Sequence, residues 1–206
     1  MSDLTIIDGA DDAAIAQWLH GHLAVALRAT RGLVAISVPG GSTPFPILEL
    51  LAKMPLDWSR LVVWPGDDRV VAEDHPASNA GRIRALLEPV GATVLPLSVG
   101  VEPPHFALVW LGMGADGHIA SLFPNTGPQI DDPQKVRRIT PDPLPPEAPF
   151  DRISLTIPAL LDSKELLFVT RGADKRSLFD AALRGENDLP VSRLLRAARQ
   201  PVTCFT

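Results

Sequence analysis

Short apolar runs alternate along this chain with segments whose apolar residues recur every three or four positions. Ile15, Trp18, Leu19, Leu23 and Ala26 step at helical spacing and predict a first helix. Residues 33–38 follow as a buried strand, and residues 44–53 as the helix after it. The next strand is 61–64, and 79–87 is a helix that Ser78 or Asn79 can cap. Residues 94–97 form a weaker strand because they contain a proline. Residues 106–111 read as a buried strand, 152–157 alternate as a half-buried one, and 166–170 lead through Gly172 into a helix over 175–183. A last helix near 191–198 and a short strand around Cys204 complete the pattern. Strand and helix in alternation predict an α/β sheet with a substantial parallel part. At 206 residues, one domain over 1–206 is the simplest organisation.

One stretch resists this alternation. Between residues 124 and 149 prolines crowd together with Asp131, Asp132, Asp142 and Glu147. This reads as a long loop and not as a domain boundary, because regular patterning resumes on both sides.

Composition removes several classes of function. A net charge of −5 leaves no basic footprint for nucleic acid. Cys204 is the only cysteine, which excludes a disulfide framework and a thiolate metal cluster. We expect it to pack as a small buried hydrophobe. No apolar run approaches the roughly 18 residues of a membrane helix. Asp3, Asp8, Asp11 and Asp12 interrupt any apolar leader, so the expected location is the cytoplasm.

The candidate chemistry lies where strands end. After the strand at 106–111, Gly112, Gly114 and Gly117 are interspersed with Asp116 and followed by His118. Open α/β sheets bind ligands beyond the carboxyl ends of their strands, and imidazole exchanges protons near neutral pH. After the first of the core strands comes Pro39-Gly40-Gly41-Ser42-Thr43-Pro44. Ser42 or Thr43 can cap the following helix, and free N–H groups there can cradle a phosphate. A plain strand-to-helix turn is the alternative. No lysine follows the glycines as a nucleotide P-loop requires. The second core strand ends in Asp67-Asp68-Arg69, whose guanidinium suits an anion or a developing oxyanion. A surface ion pair is the plainer reading. Lys175 opens a helix against the dipole preference, which a bound anion would resolve. Arg152, opening its strand, is ambiguous by itself. His20, His22, His75 and His105 read as structural or solvated.

Taken together, these segments resemble the 6-phosphogluconolactonase family. The run from Gly114 to Pro124 is similar to its Gly-x-Asp-Gly-His-x-Ala-Ser-Leu-Phe-Pro signature, and residues 40–44 to its Gly-Gly-Ser-Thr-Pro element. Asp67-Asp68-Arg69 with Ser78-Asn79, the stretch 152–156, and Gly172-Ala173-Asp174-Lys175 resemble its remaining elements in order. The chain departs from the pattern at Asp68, where glutamate is usual, and at Ile119, where threonine is usual. It is also short between Leu97 and Phe106, as if a helix were missing.

The resemblance implies a Rossmann-like, mostly parallel sheet flanked by helices, of the deaminase/isomerase/lactonase type. It implies hydrolysis of 6-phospho-D-glucono-1,5-lactone without metal or organic cofactor, by a monomer or a homodimer. His118 is then the expected general base, with Arg69, Asp67 and Asp116 as its catalytic partners. Asp67 would position Arg69 or the water, and Asp116 would orient the histidine. Gly40, Gly41, Ser42, Thr43, Gly114, Arg152 and Lys175 are the expected substrate contacts. Two rivals remain: a glucosamine-6-phosphate deaminase/isomerase and a non-catalytic sugar-phosphate-binding module. The deaminase pattern continues with Phe-Asn-Glu-Pro where this chain has Ser121-Leu122-Phe123-Pro124, so the carboxylate that would partner the histidine is absent.

Overall fold

The apolar runs become strands covered on both faces, which is what a parallel sheet between two helical layers requires. The computed structural model describes residues 3–144 and 149–206. In chain order, β1 (Leu4–Ile7) is followed by α1 (Asp12–Ala29), β2 (Val34–Val38), α2 (Pro44–Leu51) and β3 (Leu61–Pro65). Then come β4 (Asp67–Arg69), α3 (Asn79–Leu87), β5 (Thr93–Val94), β6 (Leu108–Leu111), β7 (Val136–Ile139) and β8 (Arg152–Leu155). The chain finishes with α4 (Ile157–Leu161), β9 (Leu166–Val169), α5 (Ala173–Leu183), α6 (Pro190–Ala197) and β10 (Val202–Phe205).

Seven strands pair in the order β1-β10-β9-β6-β2-β3-β5, and every pairing is parallel. Alternate side chains point to opposite faces. Val34, Ile36, Leu61, Val63 and Trp110 therefore join the core under α1, α2 and α3. Val62, Trp64, Val109, Phe168 and Cys204 join the core under α4, α5 and α6. Leu23 and Leu48 are fully buried in the first core, where truncation to alanine costs about 2–5 kcal/mol. Successive strands move one way from β2 to β3 and the other way from β6 to β9. The crevice between β2 and β6 is thus the topological switch point, where such sheets take their ligands.

A second sheet, β4-β8-β7, is antiparallel, with Arg69 opposite Arg152 and Asp67 opposite Ser154. Sequence patterning did not expose it. The 124–149 stretch is not all loop: it contains β7, in which Val136 is buried and Arg137 and Arg138 are exposed. Residues 145–148, including Glu147, lie outside the described residues. The expected strand 152–157 ends at Leu155, because α4 begins at Ile157 with Pro158 in its first turn, a position that suits proline. The strand at 94–97 reduces to β5, two residues long. No helix forms between β5 and β6, in line with the shortened connection. Ser78 caps α3 by accepting from Gly81 N–H at 3.0 Å.

Candidate active site

Four strand-end turns converge on one cavity of about 370 Å³ at the carboxyl ends of β2, β3, β6 and β9. Ten of the eleven expected site residues line it: Gly40, Gly41, Ser42, Thr43, Asp67, Arg69, Gly114, His118, Arg152 and Lys175. Asp116 lies behind His118 and lines the adjoining surface cleft instead.

The turn after β2 forms one wall. A Cβ on Gly40 would fall 2.1–2.3 Å from the amide atoms of Asn79, so only glycine lets that buried side chain pack there. Thr43 occupies the N-cap position of α2, but its dihedrals are helical (φ −69°, ψ −44°) and it makes no capping bond. This corrects the expected cap: neither hydroxyl closes the helix end. Among the described residues, the backbone N–H groups of residues 40–43 donate to no protein acceptor. Together with the helix N-terminus they make a positive concavity suited to an anion. Lys175, in the first turn of α5, faces the same cavity and has no carboxylate partner among the described residues. Neighbouring Arg171 is committed elsewhere, donating to Ala10 O at 2.7 Å and Asp12 at 2.8 Å.

The small sheet forms the opposite wall. Arg69 and Arg152 stand directly across from each other, two like charges with the cavity between their elements and the solvent. Burial first, then the facing Arg69, pulls the Arg152 guanidinium below its ordinary value. Arg69 donates from Nη1 to Ala77 O at 2.9 Å, while its buried Nε makes no bond. Asp67 does not turn to Arg69. Its Oδ2 accepts from Ser121 Oγ at 2.5 Å. Burial pushes the Asp67 carboxyl up, and the Ser121 bond, Arg69 and His118 draw it back. Asp68 accepts from Arg69 N–H, Asn79 N–H, Ala80 N–H and the Ser78 hydroxyl, which uses the shorter carboxylate fully as an anchor for α3.

The turn after β6 carries the histidine. Gly114 N–H donates to His118 O at 2.9 Å, and Met113 bridges Ile119, closing a tight loop. Ile119 is fully buried, so the apolar residue at this position adds to the core. His118 Nδ1 lies 2.6 Å from Asp116 Oδ1. An Nδ1–H donated to that carboxylate leaves the lone pair on Nε2, which bonds to none of the described residues. A Cβ on Gly114 would fall 2.2 Å from His118 Cε1 and Nδ1, so the ring rests against bare backbone. Phe123 packs against the ring with centroids 4.7 Å apart. Ala120, at φ 49°, holds the left-handed region at a cost of about 1–2 kcal/mol.

The other histidines stay outside the cavity. His20 bonds Pro55 O, His22 stacks on Trp18, His105 pairs with Asp162, and His75 meets Phe150 edge-on. Among the described residues, no cluster of His, Cys, Asp and Glu could hold a metal ion, and no helix is long and apolar enough to cross a membrane. Ser121 and Asn79 line the cavity too, although neither stood among the expected site residues. Ser121 lies inside the histidine motif, and Asn79 directly follows the cap of α3, so both were adjacent to legible signals.

Comparison with known proteins finds relatives over nearly the whole chain. The family model described as glucosamine-6-phosphate isomerases/6-phosphogluconolactonase matches residues 10–96 and 91–203. A 6-phosphogluconolactonase of Pseudomonas aeruginosa is 36% identical over 208 residues, covering 89% of this chain and 86% of the relative. One from Mesorhizobium japonicum is 33% identical over 198 residues, covering 86% and 83%. The crystal structure of a 6-phosphogluconolactonase from Shewanella baltica superimposes with a TM-score of 0.82 at 27% identity, covering 100% of this chain and 97% of that one. With nearly its whole length matched in sequence and in fold, the chain belongs to the glucosamine-6-phosphate isomerase/6-phosphogluconolactonase family.

Proposed function

We propose that this chain hydrolyses 6-phospho-D-glucono-1,5-lactone to 6-phospho-D-gluconate, a step of the oxidative pentose phosphate pathway, with His118 as general base. The observation that carries this reading is the His118–Asp116 pair. It presents a lone-pair nitrogen between an anion cradle and an arginine pair. The substrate phosphate sits against the N–H groups of residues 40–43, the Ser42 and Thr43 hydroxyls and Lys175, with Arg152 completing the cationic wall.

Nε2 of His118 takes a proton from water as the water oxygen bonds to the lactone carbonyl carbon. Negative charge passes to the carbonyl oxygen, where Arg69 or the N–H groups of the glycine turns stabilise it. As the tetrahedral intermediate collapses, the bond to the ring oxygen breaks, and the imidazolium returns its proton to that oxygen. The product is an open-chain carboxylic acid, which loses its proton to solvent to become the carboxylate. Asp116 holds the ring in the working tautomer and stabilises its charged form. One copy of the chain, folded as one domain in the cytoplasm, is sufficient for this chemistry in our reading.

Acid release from freshly generated lactone, followed by pH-stat with and without protein, tests the activity. His118→Ala lowers kcat about 10²–10⁴-fold and changes KM little. Near-wild-type turnover by that folded variant would remove His118 from its role. No acid release from the wild type would favour a binding module, and ammonia release from glucosamine 6-phosphate would favour the deaminase.

A further inference from the structure

The His118 turn grows out of the large sheet, whereas Arg69, Arg152 and Asp67 stand on the small one. One buried side chain joins them. Ser121 N–H donates to Ser154 Oγ at 3.2 Å, and Ser121 Oγ donates to Asp67 Oδ2 at 2.5 Å. Ser154 and Asp67 are cross-strand partners, so the serine grips adjacent points of the small sheet with its backbone and its hydroxyl. The chain accepts strain to do this. Ala120 takes a positive φ immediately before it, between the buried anchor Ile119 and Ser121 itself. Such strain persists only where the surroundings over-determine it, and it concentrates at functional sites.

Asp67 is left with one satisfied oxygen. Oδ1 accepts no bond from the described residues, yet it is not among the sealed polar atoms, and Asp67 lines the cavity. The charged groups facing it are Arg69 on its own strand, Arg152 on β8, His118 on the turn and neighbouring Asp68. A carboxylate fixed by one oxygen, with the other turned to a sugar-sized cavity, is a directed acceptor for a hydroxyl.

We propose that Ser121 is a positioning residue for the lactone reaction: its hydroxyl fixes Asp67 so that Oδ1 accepts a hydrogen bond from a sugar hydroxyl of the substrate. This rests on the lactonase reading above. Burial pushes the Asp67 carboxyl up and the Ser121 bond draws it down, so removing the hydroxyl raises the pH at which Asp67 loses its charge. The acid limb of kcat/KM then moves to higher pH.

The test compares wild type, Ser121→Ala, Ser121→Thr, Asp67→Asn and the Ser121→Ala/Asp67→Asn double variant on freshly generated lactone over a range of pH. Ser121→Ala is expected to raise KM about tenfold, as loss of one charged hydrogen bond does, and to shift the acid limb upward. Ser121→Thr, which keeps the hydroxyl, restores the wild-type limb. In the Asp67→Asn background, Ser121→Ala adds no further loss, because the two residues act as one. Should Ser121→Ala fail to fold, Ser121→Cys keeps the volume with a weaker donor and shows the same shift. An unshifted limb with unchanged KM, or fully additive losses in the double variant, would overturn the role of Ser121 alone. An inactive wild type would overturn the lactonase reading, and this inference with it.

Discussion

Gly114→Ala tests whether catalysis depends on the way His118 is seated. The added Cβ would lie 2.2 Å from both Cε1 and Nδ1 of the imidazole and 2.7 Å from Asp116 Oδ1. Ordinary van der Waals contact begins at 3.4 Å, so the ring must retreat by roughly 1.2 Å, the difference between the two distances. That movement breaks the 2.6 Å bond to Asp116 and carries Nε2 off its line to the substrate. A misplacement of about 1 Å costs on the order of 10² in rate. Stability responds differently. Gly114 is not in the left-handed region, and the displaced side chains are 32% and 50% exposed, so they have room to move. Replacing the glycine also lowers the entropy of the unfolded chain, by about 0.4–1 kcal/mol. The expected result is a melting temperature within about 4 °C of wild type, with kcat down about 100-fold and KM little changed. Lactone hydrolysis by pH-stat and a thermal melt check both halves. A kcat within about threefold of wild type would refute the reasoning, since the ring could not then need its seat on Gly114. A collapse of stability would refute it too, by showing that the alanine breaks the turn.

Other expectations follow from the same geometry. Asp67 has a carboxyl raised above 3.8 by burial, so its contribution to stability is full below that pH and is lost as pH rises through the raised value. Asp67→Asn therefore raises the melting temperature at pH 8 and gives a gain that shrinks towards zero below pH 3.8; parallel melting curves for the two proteins across pH would contradict this. The product 6-phosphogluconate at about 100 times its Kd stabilises the wild type by about 2.7 kcal/mol, or roughly 5–10 °C. Lys175→Met loses most of that shift at the same ligand concentration, and an undiminished shift would remove Lys175 from the phosphate site. Cys204 is fully buried and its thiol is pushed up to about 11, so an aromatic disulfide reagent labels it only as denaturant unfolds the chain. Immediate labelling of the native protein would show that strand to be open.

The parallel core was legible because its strands are apolar on both faces and need no partner to be recognised. The strands that were missed lack that signature for identifiable reasons. β1 lies at the sheet edge with Leu4 and Thr5 exposed, and β7 carries two exposed arginines inside a proline-rich stretch. β4 is only Asp67, Asp68 and Arg69, whose side chains serve the cavity and the anchor of α3 and so leave no hydrophobic period. The site was legible for a related reason. Four of the motifs follow the parallel strands β2, β3, β6 and β9, and all such strands end on the same side, so strand-end turns meet without any knowledge of strand order; Arg152, on the antiparallel β8, has no such signal. The bonds between motifs were not legible. Ser121 reaches Asp67 across 54 positions, and the packing of Asn79 on Gly40 depends on where α3 lands.

β1 has a single neighbour, β10, with Leu4 opposite Val202. β1 therefore joins the sheet only through β10, so the first strand of the sequence depends on the last for its place. The closure spans nearly the whole chain, a long-range contact of the kind that slows folding. The segment that docks with β1 also supplies Ala10 O and Asp12, which hold Arg171 at the rim of the cavity. Docking of the edge strand and the fixing of Arg171 at the cavity rim are therefore coupled, so a chain with β1 undocked would also lack a complete rim.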